Sequence, residues 1–233
     1  MLSQQSYCTG ILPVCKPKGK TSFSLVSLLR KLTKVQKIGH AGTLDPFADG
    51  VMVLLIGKQF TSLSNRFLNQ DKEYLAEVFL GLETETYDTE GKVTAQNAFI
   101  PPLEQIETTL LNFQGTILQV PPMFSAKKID GKKLYELARK GITVEREASP
   151  VTLHIELLKY SYPHLHLKIQ CSKGTYIRSL AHDIGVSLTC GAHLSALTRT
   201  RSGKFTLENC CDGAQLADPS YEWMQFLRID EKR

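Results

Sequence analysis

No CxxC, HxxxH or HExxH spacing occurs in the sequence, and its six cysteines (Cys8, Cys15, Cys171, Cys190, Cys210, Cys211) are sparse for 233 residues. The missing spacings exclude the usual zinc frameworks. The cysteine count excludes a disulfide scaffold, and the adjacent pair Cys210-Cys211 is poor bridging geometry. A reducing compartment is expected. The longest apolar run, Val51 to Ile56, is far shorter than the roughly 20 residues that cross a bilayer. The first residues carry no basic start, and Pro13 interrupts the apolar stretch before an export signal can form. These absences predict a soluble, cytoplasmic protein with no membrane partner.

Repeats, low-complexity tracts and a Pro/Gly/Ser-rich linker are lacking too, so one continuous domain over 1–233 is expected. With 42% hydrophobic residues the chain can bury a sizeable core. The formal charge of +5, from 28 Lys and Arg against 23 Asp and Glu, tilts towards polyanionic partners without requiring one. The cations cluster: Lys16, Lys18, Lys20, Arg30, Lys31, Lys34 and Lys37 early; Lys127, Lys128, Lys132, Lys133, Arg139 and Lys140 midway; Lys173, Arg178, Arg199, Arg201 and Lys204 late. Each cluster suits a surface that tracks phosphates, and each is equally a solvated face.

Ser24 can cap a helix with Leu25, Leu28, Leu29 and Leu32 on one stripe. Leu103, Ile106, Leu110 and Phe113 predict a second helix between Pro102 and Gly115. A third is expected over Lys132 to Lys140, burying Leu134 and Leu137 beneath a basic face. HLHLKIQC (His164 to Cys171) alternates strictly and predicts a strand. After it, Ile177, Leu180, Ala181, Ile184 and Leu188 fall on one helical face, so Tyr176 and Arg178 stand where strand hands over to helix. Tyr74 to Leu80 fits another strand, and Asp88 to Gly91 a turn. Strands and helices intermix without a βαβ rhythm, which predicts an α+β fold with a mixed, largely antiparallel central sheet flanked by helices and loops.

The most unusual stretch is GHAGTLDPFADG (Gly39 to Gly50), where three glycines and a proline surround Asp45 just before the apolar run. A carboxylate at the tip of such a loop can act as nucleophile or base. By spacing alone, Asp45-Pro46 and Asp49-Gly50 are turn residues, and His40 is a loop histidine with a local hydrogen bond. CSKGTYIR (Cys171 to Arg178) supplies a phenol and a guanidinium, which beside an acid would hold it ionised. A structural tyrosine and a surface arginine explain the same residues.

Taken together, KPKGKTS (Lys16 to Ser22), GHAGTLDPFADG, DKEY (Asp71 to Tyr74), SAKKIDGKKLYELARKG (Ser125 to Gly141), CSKGTYIR and CGAHLSALTR (Cys190 to Arg199) resemble the ordered motif series of bacterial tRNA pseudouridine-55 synthases of the TruB type. The resemblance spans about residues 10 to 205. It departs at Cys15, where the family often has Asp, and at Thr198, where Arg is common. The short stretch after Phe205 implies a member consisting of the catalytic domain, without the C-terminal PUA-type module that many relatives carry.

The resemblance implies isomerisation of a uridine in the T-arm stem-loop of tRNA, with no cofactor, no metal and no obligatory protein partner. Asp45 would be the catalytic carboxylate, Arg178 its ionic partner, and Tyr74 and Tyr176 the aromatics bracketing a flipped-out pyrimidine, Tyr74 also assisting proton transfer. His40 would fill the space the base vacates, and Leu197 would wall the uracil site. Lys16, Lys132, Lys133 and Lys173 would meet RNA, and an insertion over about 125–148 would close on the T-arm. Three rivals remain: a non-catalytic RNA-binding protein, a hydrolase using Asp45 with His40 or His182-Asp183, and a guide-RNA-directed synthase subunit.

Overall fold

A computed structural model describes residues 8–129 and 131–229; Asp130, inside the 125–148 segment, therefore lies outside the described residues. The chain begins with β1 (Gly10–Lys16), α1 (Ser22–Thr33), β2 (Ile38–His40), β3 (Asp49–Ile56), α2 (Lys58–Thr61) and α3 (Ser64–Leu68). Next come β4 (Lys72–Leu80), β5 (Leu82–Thr84), β6 (Val93–Gln96), α4 (Leu103–Leu111) and β7 (Gly115–Gln119). The middle holds β8 (Lys128–Ile129), β9 (Lys132–Lys133), α5 (Leu134–Ala138), β10 (Ser149–Ser161), β11 (His164–Cys171) and α6 (Ile177–Ser187). It ends with β12 (Ala192–Ser202), β13 (Phe205–Thr206) and β14 (Cys211–Asp212). This is the expected α+β class.

The described chain forms two compact units, the first from Met1–Tyr74 with Leu197–Arg233, the second Leu75–Ala196. No linker composition marks the division because both crossings fall inside strands, β4 and β12.

In the first unit the strand order is β14-β1-β3-β12, with β2 on β3 and β13 on β12. β1 and β3 pair antiparallel, whereas β12 joins β3 in parallel with Arg199 opposite Gly50. Every residue of β3 from Gly50 to Ile56 is buried, which explains its unbroken apolar run: both faces are covered. Met52, Leu54 and Ile56 pack with Leu25, Val26 and Leu29 of α1, while Val51, Val53 and Leu55 pack with Phe60 and Phe67. The expected α1 is present but differently capped. Thr21, not Ser24, is the N-cap, its hydroxyl accepting from the Ser24 amide at 3.0 Å. Val26 faces inward, and Leu32 is left exposed.

In the second unit β4, β11, β10 and β7 lie side by side. β11 matches its alternation: Leu165, Leu167, Ile169 and Cys171 are buried. α4 packs against β10 and α6, burying Ile106 and Leu110 and leaving Leu103 in solvent. The helix expected over Lys132 to Lys140 is only α5, because Lys132 and Lys133 pair with Lys128 and Ile129 in a hairpin turned at Gly131, whose φ of +77° suits glycine. Among the described residues no helix is long and apolar enough to cross a membrane.

Candidate active site

The loop between β2 and β3 carries Asp45, and other parts of the first unit pin its backbone on both sides of that residue. Before it, Ser22 Oγ donates to the Leu44 carbonyl and accepts from the Leu44 amide, each at 3.0 Å. After it, the Gly19 amide donates to the Pro46 carbonyl at 2.8 Å. The Lys16 ammonium donates to the carbonyls of Lys20 at 2.7 Å, Pro17 at 2.9 Å and Pro46 at 3.4 Å. Further back, Arg199 Nε donates to the Val51 carbonyl at 2.6 Å, and its two terminal nitrogens reach the Thr43 and Gly42 carbonyls at 3.4 and 3.2 Å. A half-buried carboxylate thus sits on a loop whose backbone has little freedom, as preorganised catalysis requires.

Two expectations change here. Lys16 and Arg199 belonged to surface clusters suited to phosphate, yet they are 0% and 1% exposed. Their charges are spent on buried carbonyls, because a loop that abandons regular structure leaves acceptors that must find donors. Burial pulls the Lys16 pKa down to about 8, against the opposing pull of Asp49 and Asp45. Burial, with Arg199 nearby, also lowers the His40 pKa, which favours a neutral imidazole. Tyr74, third residue of β4, and Leu197 on β12 are buried members of the same unit.

The second unit holds Tyr176, Arg178, Lys132, Lys133 and Lys173. Tyr176 is the N-cap of α6, and its backbone is clasped by one side chain: its amide donates to Gln119 Oε1 at 2.8 Å and its carbonyl accepts from Gln119 Nε2 at 3.1 Å. Arg178, 6% exposed, donates to the carbonyls of Phe124 at 2.8 Å and Thr86 at 3.0 Å and lies 3.4 Å from Asp88 Oδ2. Asp88 does make the expected turn, accepting from the Glu90 amide at 2.9 Å. Its burial and ionic partner were not legible in sequence. A bidentate set of carbonyls and a carboxylate fix the guanidinium plane, a role lysine could not fill. Lys132 and Lys173 are exposed and Lys133 half-buried, so these three can meet a solvent-borne polyanion. Among the described residues no group of three or more His, Cys, Asp or Glu side chains is placed to hold a metal ion.

Sequence reasoning missed Ser22, Gln119 and Asp88, and misplaced Arg199. The only signal for Ser22 and Arg199 was their place inside conspicuous motifs; Gln119 gave none.

The class of protein emerges from the fold. A chain of a Cbf5-Nop10-Gar1 complex superimposes with a TM-score of 0.72 and 27% identity, covering 95% of this chain and 60% of that one. An H/ACA RNP bound to a substrate RNA containing 2'-deoxyuridine gives 0.67 and 26%, covering 95% and 59%. This chain therefore spans about 60% of those solved chains. Residues 30–177 match the TruB family pseudouridylate synthase (N terminal domain), and residues 178–232 the tRNA pseudouridylate synthase B C-terminal domain. The chain belongs to the TruB family of pseudouridine synthases, which makes it an isomerase. Proteins named tRNA pseudouridine synthase B are similar over nearly its whole length: that of Protochlamydia amoebophila is 63% identical over 97% of this chain and 86% of its own. Those of Chlamydia pneumoniae (55%, over 94% and 93%) and Desulfotalea psychrophila (44%, over 95% and 93%) follow.

Proposed function

We propose that this chain converts the uridine at position 55 of the tRNA T-loop to pseudouridine in the cytoplasm, with Asp45 as the nucleophile. The observation that carries this reading is the pinning of the Asp45 loop by Ser22, Lys16, Gly19 and Arg199, which holds one carboxylate still while neighbouring backbone is used up in hydrogen bonds. Pseudouridine formation needs one such group. Attack of the Asp45 oxygen on ribose C1' breaks the bond to uracil N1; the freed ring rotates, C5 bonds to C1' as the carboxylate leaves, and the C5 proton is transferred to N1. No oxidant or reductant enters the balance.

The remaining roles follow the family motifs. Tyr74 and Tyr176 bracket the extruded base, Leu197 walls it, and Arg178 is the cation serving the acid. His40, neutral, takes the place the base leaves in the loop stack. Lys132, Lys133 and Lys173 offset the cost of extrusion by contacting phosphates. Lys16 supports the loop from inside.

Incubating the purified chain with an unmodified tRNA transcript and mapping pseudouridine tests this reading. Conversion confined to position 55 is the expected result; binding without conversion would leave a non-catalytic RNA-binding protein. Because structural neighbours include chains of H/ACA complexes, conversion by the isolated chain also decides against an obligatory guide RNA.

A further inference from the structure

The first acidic residue in the chain is Asp45, so the preceding 44 residues contain no carboxylate side chain, yet they hold Lys16, Lys18, Lys20, Arg30, Lys31, Lys34 and Lys37. Lys16 is the buried member of this set. Lys18, Lys20, Lys31 and Lys34 are exposed, and the first turn of α1 has no acid to balance them. In their midst stands Phe23, 62% exposed, with the Arg30 guanidinium 5.7 Å from the centre of its ring. A large aromatic side chain gains nothing by facing water, and Phe23 has a buried neighbour on either side of the first helical turn, Ser22 and Leu25, that shows the core was within reach.

The position of this shelf gives it meaning. Phe23 follows directly on Ser22, whose hydroxyl holds both backbone atoms of Leu44, the residue before Asp45. Lys18 and Lys20 flank Gly19, whose amide holds the carbonyl of Pro46, the residue after Asp45. Hydrogen bonds from Ser22 and Gly19 therefore tie the segment that carries Phe23, Lys18 and Lys20 to the loop that carries the acid.

Resting on the proposed reaction, we infer that Phe23 and Arg30 form a stacking shelf for an unpaired base of the RNA next to the target uridine, with Lys18 and Lys20 contacting the phosphates that lead to it. The chemistry of the surface selects this ligand. An aromatic ring offers a face to any base, a neighbouring guanidinium adds attraction to the π system, and exposed cations attract the backbone. Extruding a uridine strips its neighbour of a stacking partner, and a shelf beside the acid restores one.

The test uses the full chain and an unmodified tRNA transcript, measuring equilibrium binding across a salt series and single-turnover conversion. Phe23→Ala is expected to raise Kd roughly tenfold with an unchanged salt slope, since stacking releases no counterions, whereas Phe23→Tyr keeps Kd within about twofold of the parent. Lys18→Ala with Lys20→Ala is expected to flatten the slope by about two phosphates. Phe23 is 62% exposed, so melting temperatures should coincide. Equal Kd for Phe23→Ala and the parent, or an equal loss in Phe23→Tyr, overturns the shelf while the reaction stands. A parent chain that neither binds nor converts tRNA overturns the reaction itself.

Discussion

A Cβ added to Gly50 would stand 2.3 Å from the carbonyl oxygen of Arg199, the residue paired with it across the parallel strands β3 and β12. Gly50 also has a φ of +104°. The close approach is what lets the Arg199 side chain turn back to the Val51, Thr43 and Gly42 carbonyls, so a glycine at the end of the motif and an arginine 148 positions beyond Val51 together set the shape of the acid's loop.

Gly50→Ala should therefore cost stability twice, through backbone strain and through overlap with another backbone, about 3 kcal/mol or more together. Calorimetry should show a melting temperature lower by roughly 6 °C or more for a chain of this size. A melting temperature equal to the parent's would mean the strands separate without penalty, contrary to their register.

Asp45→Asn removes the charge of the proposed nucleophile and nearly keeps its shape. Conversion of tRNA should fall by at least about a thousandfold, or 4 kcal/mol in the barrier, while Kd for tRNA changes little. The assignment is contradicted if affinity and rate drop in equal measure.

Lys16 links the loop to pH. Burial lowers its pKa from 10.5 to about 8, so the folded chain holds this proton less tightly than the unfolded chain does. Between about pH 8 and 10.5 the unfolded state binds more protons, and this group's contribution to stability rises with pH across that window. In Lys16→Met the contribution is gone. Urea unfolding of both chains over that range should show the parent gaining on the variant as pH rises; a constant or shrinking difference would refute the buried ammonium.

Lys132→Ala with Lys133→Ala tests the segment 125–148. Both residues lie in the β8–β9 hairpin or its edge, one exposed and one half-buried, and Lys133 has Glu136 only 3.9 Å away as a competing partner. If both contact phosphate, the slope of log affinity against log salt should flatten by up to about two, with weaker binding at low salt. An unchanged slope would remove this hairpin from the RNA interface.

Much was legible in the residue order because the governing interactions are local. Strict alternation made β11, and a helical stripe made α6 together with the position of Tyr176 at its start. The motif series pointed to Asp45 and to the family. The shorter α5 escaped because Gly131 allowed a hairpin where the charge pattern suggested helix, and the α1 cap moved from Ser24 to Thr21 because two hydroxyls three positions apart compete for one role.

The sequence by itself determined the fold class and the family, and singled out Asp45 as the candidate acid, since periodicity, loop chemistry and motif order are properties of neighbouring residues. Only the tertiary structure decided which cations face solvent and which serve the interior. Lys16 and Arg199 look like Lys18 and Lys173 in a list of charges, but the distant carbonyls of Pro46, Thr43 and Gly42 need donors once that loop is buried, and which side chain reaches them is fixed by strand register.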